Sequence, residues 1–189
     1  MQGRDAMANV FIFTVNNEAA QRRFNIAFKK GYDTGEILPF IHDESHRDVV
    51  QKLYSDRTCY LWGEADKKDG ARSAWERMKE GDLVLGYKGN AIISVSHVLY
   101  TINDSSLADQ IWGQENGNSL RCIFFMTKPY LCDIAIVPQM HNYLDPPYKG
   151  LTQLGAEKLH NILAHYISLD DFARLLFGQD FPASLRHSQ

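Results

Sequence analysis

The sequence has no surplus of basic residues. Its 20 lysines and arginines stand against 23 aspartates and glutamates, a formal charge of −3. Global attraction to a polyanion is therefore not an argument for a nucleic-acid partner. A local basic stripe is still compatible with one, above all where affinity comes from one gripped base rather than many phosphates. No run of about 18 apolar residues occurs, so no transmembrane helix and no membrane partner are expected. The charged-then-apolar layout of a signal peptide is missing from the N-terminus, and a cytoplasmic location is expected. Cysteine is scarce: Cys59, Cys122 and Cys132 are an odd number, widely spaced within apolar runs. They read as small core side chains in a reducing compartment rather than a disulfide framework.

Familiar catalytic signatures are lacking too. There is no Gly-x4-Gly-Lys-Ser/Thr loop, no Gly-x-Gly-x-x-Gly and no Gly-x-Ser-x-Gly. The zinc deaminase pattern, His-x-Glu followed by Pro-Cys-x-x-Cys, is absent. No cofactor is expected. The one stretch that resembles a catalytic cluster is HDESHRD, residues 42 to 48. If helical, it places His42 and His46 on one face, where a metal-dependent hydrolase or nuclease would use them with Asp43, Glu44 and Asp48. A solvated first helical turn, with acids near the positive dipole end, accounts for the same residues.

What is present is a strongly patterned chain with 44 % hydrophobic residues, enough for one well-buried domain. Residues 1–8 are set aside as an N-terminal extension, residues 9–180 form the domain and residues 181–189 a tail. Asn9–Val15 reads as a buried strand, and Asn17 as the cap of a helix that Gly31 stops. Asp43 caps a second helix. Cys59–Trp62 is a strand, and Asp69 opens a short helix carrying Ala74, Trp75 and Met78. Asp82–Tyr87 and Ala91–Ile102 form a hairpin around Lys88–Gly89–Asn90. Ser105 caps a helix ending in Trp112, and the Gly/Asn-rich GQENGNS leads to strands Leu120–Thr127 and Leu131–Val137. Two helices close the chain, the second opening on a Ser168–Asp171 capping box. About six strands with interspersed helices predict one α+β domain built on a curled sheet approaching a barrel.

Trp62 and Trp112 each end an element and are followed at once by glycine, Gly63 and Gly113, and then by a polar loop. Glycine there lets a backbone or ligand approach an indole face. Two such indoles facing each other across a cleft would sandwich a flat ring or cage an electron-poor methyl group. Stacking contributes roughly 1–3 kcal/mol per base, close to the few kcal/mol that flipping one base costs. Trp75, at helical spacing from Met78, reads as core.

The order of these features resembles the PUA-like group of modified-base readers, the EVE and YTH domains. The matching pieces are FIFTVNN, the strand ending in Trp62, the hairpin DLVLGYKGNAIISVSHV and the segment ending in Trp112. AWERMKEGDLVLGYKGN is similar to a stretch of EVE domains. SLADQIWG, RCIFFMTKPY and YKGLTQLG are similar to the N-terminal DNA-binding domains of McrB-like restriction GTPases. The resemblance spans most of residues 9 to 165. It implies a non-enzymatic reader of modified duplex DNA that flips a base into an aromatic cage, with GTPase and nuclease subunits elsewhere. The base it implies is N6-methyladenine or a 5-modified cytosine; modified RNA is the alternative partner. Carried over, Trp62 and Trp112 are the cage walls, with Tyr60 or Tyr87 as the third. Asn16 contacts the base edge, joined by the backbone of Gly63 and by Asn17, whose capping role is preferred. Lys67, Lys68 and Arg72 in the loop after the first wall, with Lys88 in the hairpin turn, are the expected phosphate contacts.

Overall fold

A computed structural model describes residues 7–67 and 70–178. β1 (Val10–Thr14) is buried along its whole length because both of its faces are covered: Val10 and Ile12 on one side, Phe11 and Phe13 on the other. It leads to Asn17, whose side-chain oxygen accepts from the Ala20 N–H at 2.8 Å and starts α1 (Glu18–Phe24). The helix continues as a π-helical stretch, Asn25–Lys30, and stops where Gly31 takes a φ of 75°.

Then come β2 (Tyr32–Asp33), α2 (Thr34–Ile37), α3 (Glu44–Leu53), β3 (Thr58–Glu64) and α4 (Ala71–Arg77). The expected hairpin is β4 (Leu83–Lys88) with β5 (Ala91–Asn103). After α5 (Ser105–Trp112) come a small hairpin, β6 (Gln114–Glu115) with β7 (Asn118–Ser119), and the strands β8 (Cys122–Met126) and β9 (Tyr130–Ala135). β10 (Thr152–Gln153), α6 (Ala156–His165) and α7 (Leu169–Phe177) complete the described chain. The cap of α5 is Asp104 rather than the expected Ser105: its carboxylate accepts from the Leu107 N–H at 3.0 Å and suits the helix dipole. Asp69, expected to open α4, lies outside the described residues.

Eight strands form one sheet, in the order β10-β1-β4-β5-β8-β3-β2 with β9 also paired to β5. The mixed α+β architecture with flanking helices agrees with expectation. The strand count rises from six because β2 and β10 are two residues each, too short to carry an alternating pattern. β5 is 13 residues long and pairs with β4 and β9 through its first half and with β8 through its second. A register shift between Val98 and Tyr100 bends it there. The sheet curls until the rings of Phe13 on β1 and Trp62 on β3 lie 4.9 Å apart, although these strands share no ladder.

Two cores result. One holds Phe11, Phe13, Phe28, Trp62 and Phe124 together with the inward faces of the surrounding helices. The other lies between Val10, Ile12, Leu83 and Leu85 and the helices α6 and α7, which contribute Ile162, Phe172 and Phe177. Cys59 and Cys122 are fully buried, Cys132 is half-buried, and all three thiols are free. Desolvation pushes the Cys59 thiol up to about 12, as expected of an inert core side chain.

Candidate functional site

The ends of β1 and β3 open onto a cavity of about 620 Å³, within the roughly 300–1,000 Å³ range of ligand sites. Thr14 at the end of β1 lines it with Asn16 and Asn17 just beyond, and Glu64 at the end of β3 with Ala65 and Lys67 of the loop that follows. Arg23 reaches it from α1, Glu115 and Asn118 from the β6–β7 hairpin, and Lys149 with Gly150 from the loop before β10. Arg77 of α4 lies at its edge. Four cationic side chains and two acids therefore surround it, giving the locally positive patch that the whole-chain charge conceals.

The floor is set by the alternation of β3. Trp62 points into the core, 1 % exposed, against Phe13 and edge-on to Phe28 at 5.8 Å. Its indole N–H donates to Glu64 Oε1 at 3.0 Å, two residues on and so on the same strand face. The guanidinium of Arg23 sits 5.1 Å from the Trp62 ring centre. Arg23 is held in turn by Glu115, at 2.7 Å, with both side chains largely shielded. Burial drives the Glu64 carboxyl up to about 7, against the lowering effects of the Trp62 indole and Arg23. Glu115 goes the other way: desolvation raises it, but hydrogen bonding and charge from Arg23, with help from Asn17, hold it below the ordinary carboxylate range.

Of the residues singled out in the sequence, the structure brings Asn16, Asn17 and Lys67 to this cavity. Asn17 caps α1 and also donates to Glu115 at 3.2 Å. The two tryptophans do not face each other. Trp112 packs on the opposite face of β3, where its six-membered ring fills the space above Gly63, and its indole N–H donates to the Tyr32 hydroxyl at 2.8 Å. Gly63 thus does admit an indole, but the one behind the strand, and its backbone belongs to the ladder with β8. Tyr60 is buried further back along β3 beside Gly31. Tyr87 lies in the second core, edge-on to Tyr148 at 5.2 Å. Neither tyrosine lines the cavity.

Among the basic residues, Arg72 is committed to Asp66 at 3.1 Å and Glu76 at 2.8 Å, and Lys88 hydrogen-bonds Gln21 away from the cavity. Lys68 lies outside the described residues. The HDESHRD stretch divides: His42 precedes the Asp43 cap and is therefore not on the helix with His46. His46 bonds the Tyr100 hydroxyl at 2.8 Å, and His42 meets Ser106 Oγ at 3.2 Å. No group of three or more metal-binding side chains occurs among the described residues.

The residues that sequence reasoning passed over are Arg23, Glu64, Glu115 and Lys149. Glu64 was accessible, since period-two alternation from Trp62 puts it on the same face. The hairpin carrying Glu115 had its signal in Asn116–Gly117, both of which adopt positive φ, 51° and 74°. Arg23 and Lys149 have no local signal, because their place in the site depends on the curl of the sheet.

Two measurements check this geometry. A methyl group on Gly63 overlaps the Trp112 ring and the Leu120 carbonyl oxygen. Gly63→Ala should therefore cost about 1–3 kcal/mol in denaturant unfolding; unchanged stability would mean that Trp112 is not seated there. For Glu64, the folded protein keeps a proton up to about pH 7 that the unfolded chain releases near 4.5. Stability therefore falls as pH rises through that window, and Glu64→Gln removes the loss. The Tm advantage of the variant should widen from pH 4.5 to 7 and then level off; a constant difference would refute the burial of this carboxyl.

No family model and no curated protein matches the chain. Among solved structures, the N-terminal domain of Thermococcus gammatolerans McrB bound to m5C DNA superposes with a TM-score of 0.60 at 17 % identity, over 83 % of this chain and 96 % of that one. Human THYN1 in complex with DNA containing 5-methylcytosine aligns over 84 % of this chain and 97 % of that one. Its identity is 11 % and its TM-score 0.43. The chain shares the fold of the McrB N-terminal domain, as its sequence resemblance implied.

Proposed function

We propose that this chain is a reader of modified DNA, which takes one flipped base into the cavity between the ends of β1 and β3 and performs no chemistry on it. The observation that carries the reading is the cavity itself: a recess lined by Asn16, Asn17 and the cations Lys67, Arg77 and Lys149, on the fold of a domain that was solved bound to m5C DNA. In this reading the cations hold phosphates while the polar side chains of the cavity meet the base. Trp62 lies beneath the cavity, covered by Arg23, and Trp112 supports the strand from behind, so the pocket is polar rather than an aromatic cage. In this reading the chain supplies the specificity of a modification-dependent restriction system, whose GTPase and nuclease act from other polypeptide segments.

Because Trp62 is core, Trp62→Ala removes packing worth about 3–5 kcal/mol and says little about recognition. The informative comparison uses one duplex carrying plain cytosine, 5-methylcytosine or N6-methyladenine, titrated at a single stated salt concentration. One modified duplex should bind at least about tenfold tighter than the plain one. Lys149→Ala should weaken all three by a similar factor and lower the salt slope by about 1. Equal affinity for all three duplexes would remove the reading, and equal competition by RNA of the same sequence would move it to RNA.

A further inference from the structure

Beside the cavity lies a second recess, of about 340 Å³, lined by Asn9, Arg77, Gln153 and Leu154 and by Ala156 and Leu159 of α6. The two recesses meet at Arg77 and Gln153, which line both. Arg77 is the last residue of α4, and Gln153 is fixed on the sheet by the pairing of β10 with Phe11 of β1. Lys67 and Lys149 line the first recess alone. Among the described residues, Arg77 is the one charged side chain lining the second; Glu157, in the first turn of α6, is not part of its wall.

Arg77 is held in a way that leaves its charge available. Its Nε–H donates to Gln153 Oε1 at 2.5 Å and its Nη1 to Ser73 Oγ at 2.8 Å, so two bonds fix the plane of the guanidinium. Both partners are neutral. Arg22, Arg23, Arg72 and Arg174 are each paired with a carboxylate instead, which compensates their charge. Nη2 of Arg77 has no hydrogen-bond partner among the described residues. A planar cation with a fixed orientation, no acid partner and an open terminal nitrogen suits a phosphate group. A recess on each side of it suits a phosphate within a chain better than a lone anion.

Resting on the reading of the cavity as the seat of a flipped base, we propose that Arg77 grips a backbone phosphate beside that base. The same strand then continues past Arg77 into the second recess. There the adjoining nucleotide finds a cation at the mouth for its phosphate and an apolar wall of Leu154, Ala156 and Leu159 for the face of its sugar. The gripped phosphate lies on one side of the flipped nucleotide, so Arg77 couples to the strand in that direction only. Ser73 and Gln153 are positioning residues, which act through the orientation of the guanidinium.

The test is a double-mutant cycle between protein and backbone, run on a duplex with one 5-methylcytosine and on the same duplex with plain cytosine. Single phosphates of the target strand, on the 5′ and 3′ sides of that base, are replaced by neutral methylphosphonates. Affinities are read by fluorescence anisotropy across a salt series, and each variant is checked for folding by its thermal transition. Arg77→Ala should weaken binding to the all-phosphate duplex by about threefold to tenfold and lower the salt slope by about 1. One methylphosphonate, on one side of the target base, should weaken wild type by a similar factor and Arg77→Ala by less than about twofold. Gln153→Ala should weaken wild type by a smaller factor and add nothing to Arg77→Ala. Ala156→Glu sets a carboxylate in the second recess, at a helix start that tolerates one. It should weaken binding as much as Arg77→Ala while the Tm stays unchanged. An unchanged salt slope in Arg77→Ala, equal coupling to phosphates on both sides, or wild-type binding by Ala156→Glu would overturn the proposal. Equal affinity for the methylated and plain duplexes overturns the modification reading instead, because the phosphate coupling is read on both. Failure to bind either duplex overturns both.

Discussion

The contact between Phe13 and Trp62, 4.9 Å between ring centres, joins two strands that exchange no hydrogen bonds. β1 and β3 stand four steps apart in the sheet, whose curl, with register shifts in β4 and β5, brings them together. Where a closed barrel would continue its ladder, this sheet substitutes aromatic packing, with Phe28 and Phe124 filling the rest of the seam. Packing can stop where the apolar side chains stop. Past Val15 and Trp62 the chain gives way to Asn16, Asn17 and Glu64, and the cavity lies between the two strand ends. The recess is therefore a consequence of how the sheet closes, not a separate construction.

The same seam explains the electrostatics. Glu64 continues the inward face of Trp62 and so carries a carboxyl to the edge of an aromatic cluster, where its charge is poorly solvated. Arg23 covers the tryptophan from the other side and is held in place by Glu115, which the small β6–β7 hairpin delivers. The result is an acid whose proton is retained to neutral pH beside a guanidinium fixed in orientation. Such a pair is preorganised for a planar heterocycle with mixed donors and acceptors, and less suited to a simple anion, which would face two carboxyls.

Much of this fold could be read from the chain. The buried first strand, the Asn17 cap, the Gly31 stop and the β4–β5 hairpin follow from local chemistry: β-branched runs, a side-chain acceptor, a positive φ and a turn. The short strands could not be read, because two residues hold no period. The site was half legible. Asn16, Asn17 and Lys67 were found since they follow the strand ends that line the cavity. Trp62 was recognised as important for the wrong geometry: consecutive residues on a strand face opposite ways, so a partner packed on Gly63 cannot share a cleft with Trp62. Following that alternation one residue further leads to Glu64. Arg23 and Lys149 depend on a bend about 75 residues from one and 50 from the other, and no local pattern encodes that.

The central claim is that a base leaves its duplex and enters the recess between the ends of β1 and β3. A crystal structure of the protein with a duplex holding one 5-methylcytosine tests it most directly. The account predicts an extrahelical base seated in the cavity beside Asn16 and Glu64, with its flanking phosphates against Lys67 and Lys149. A methylated base still stacked in the helix, with the duplex resting on another face of the sheet, would contradict it.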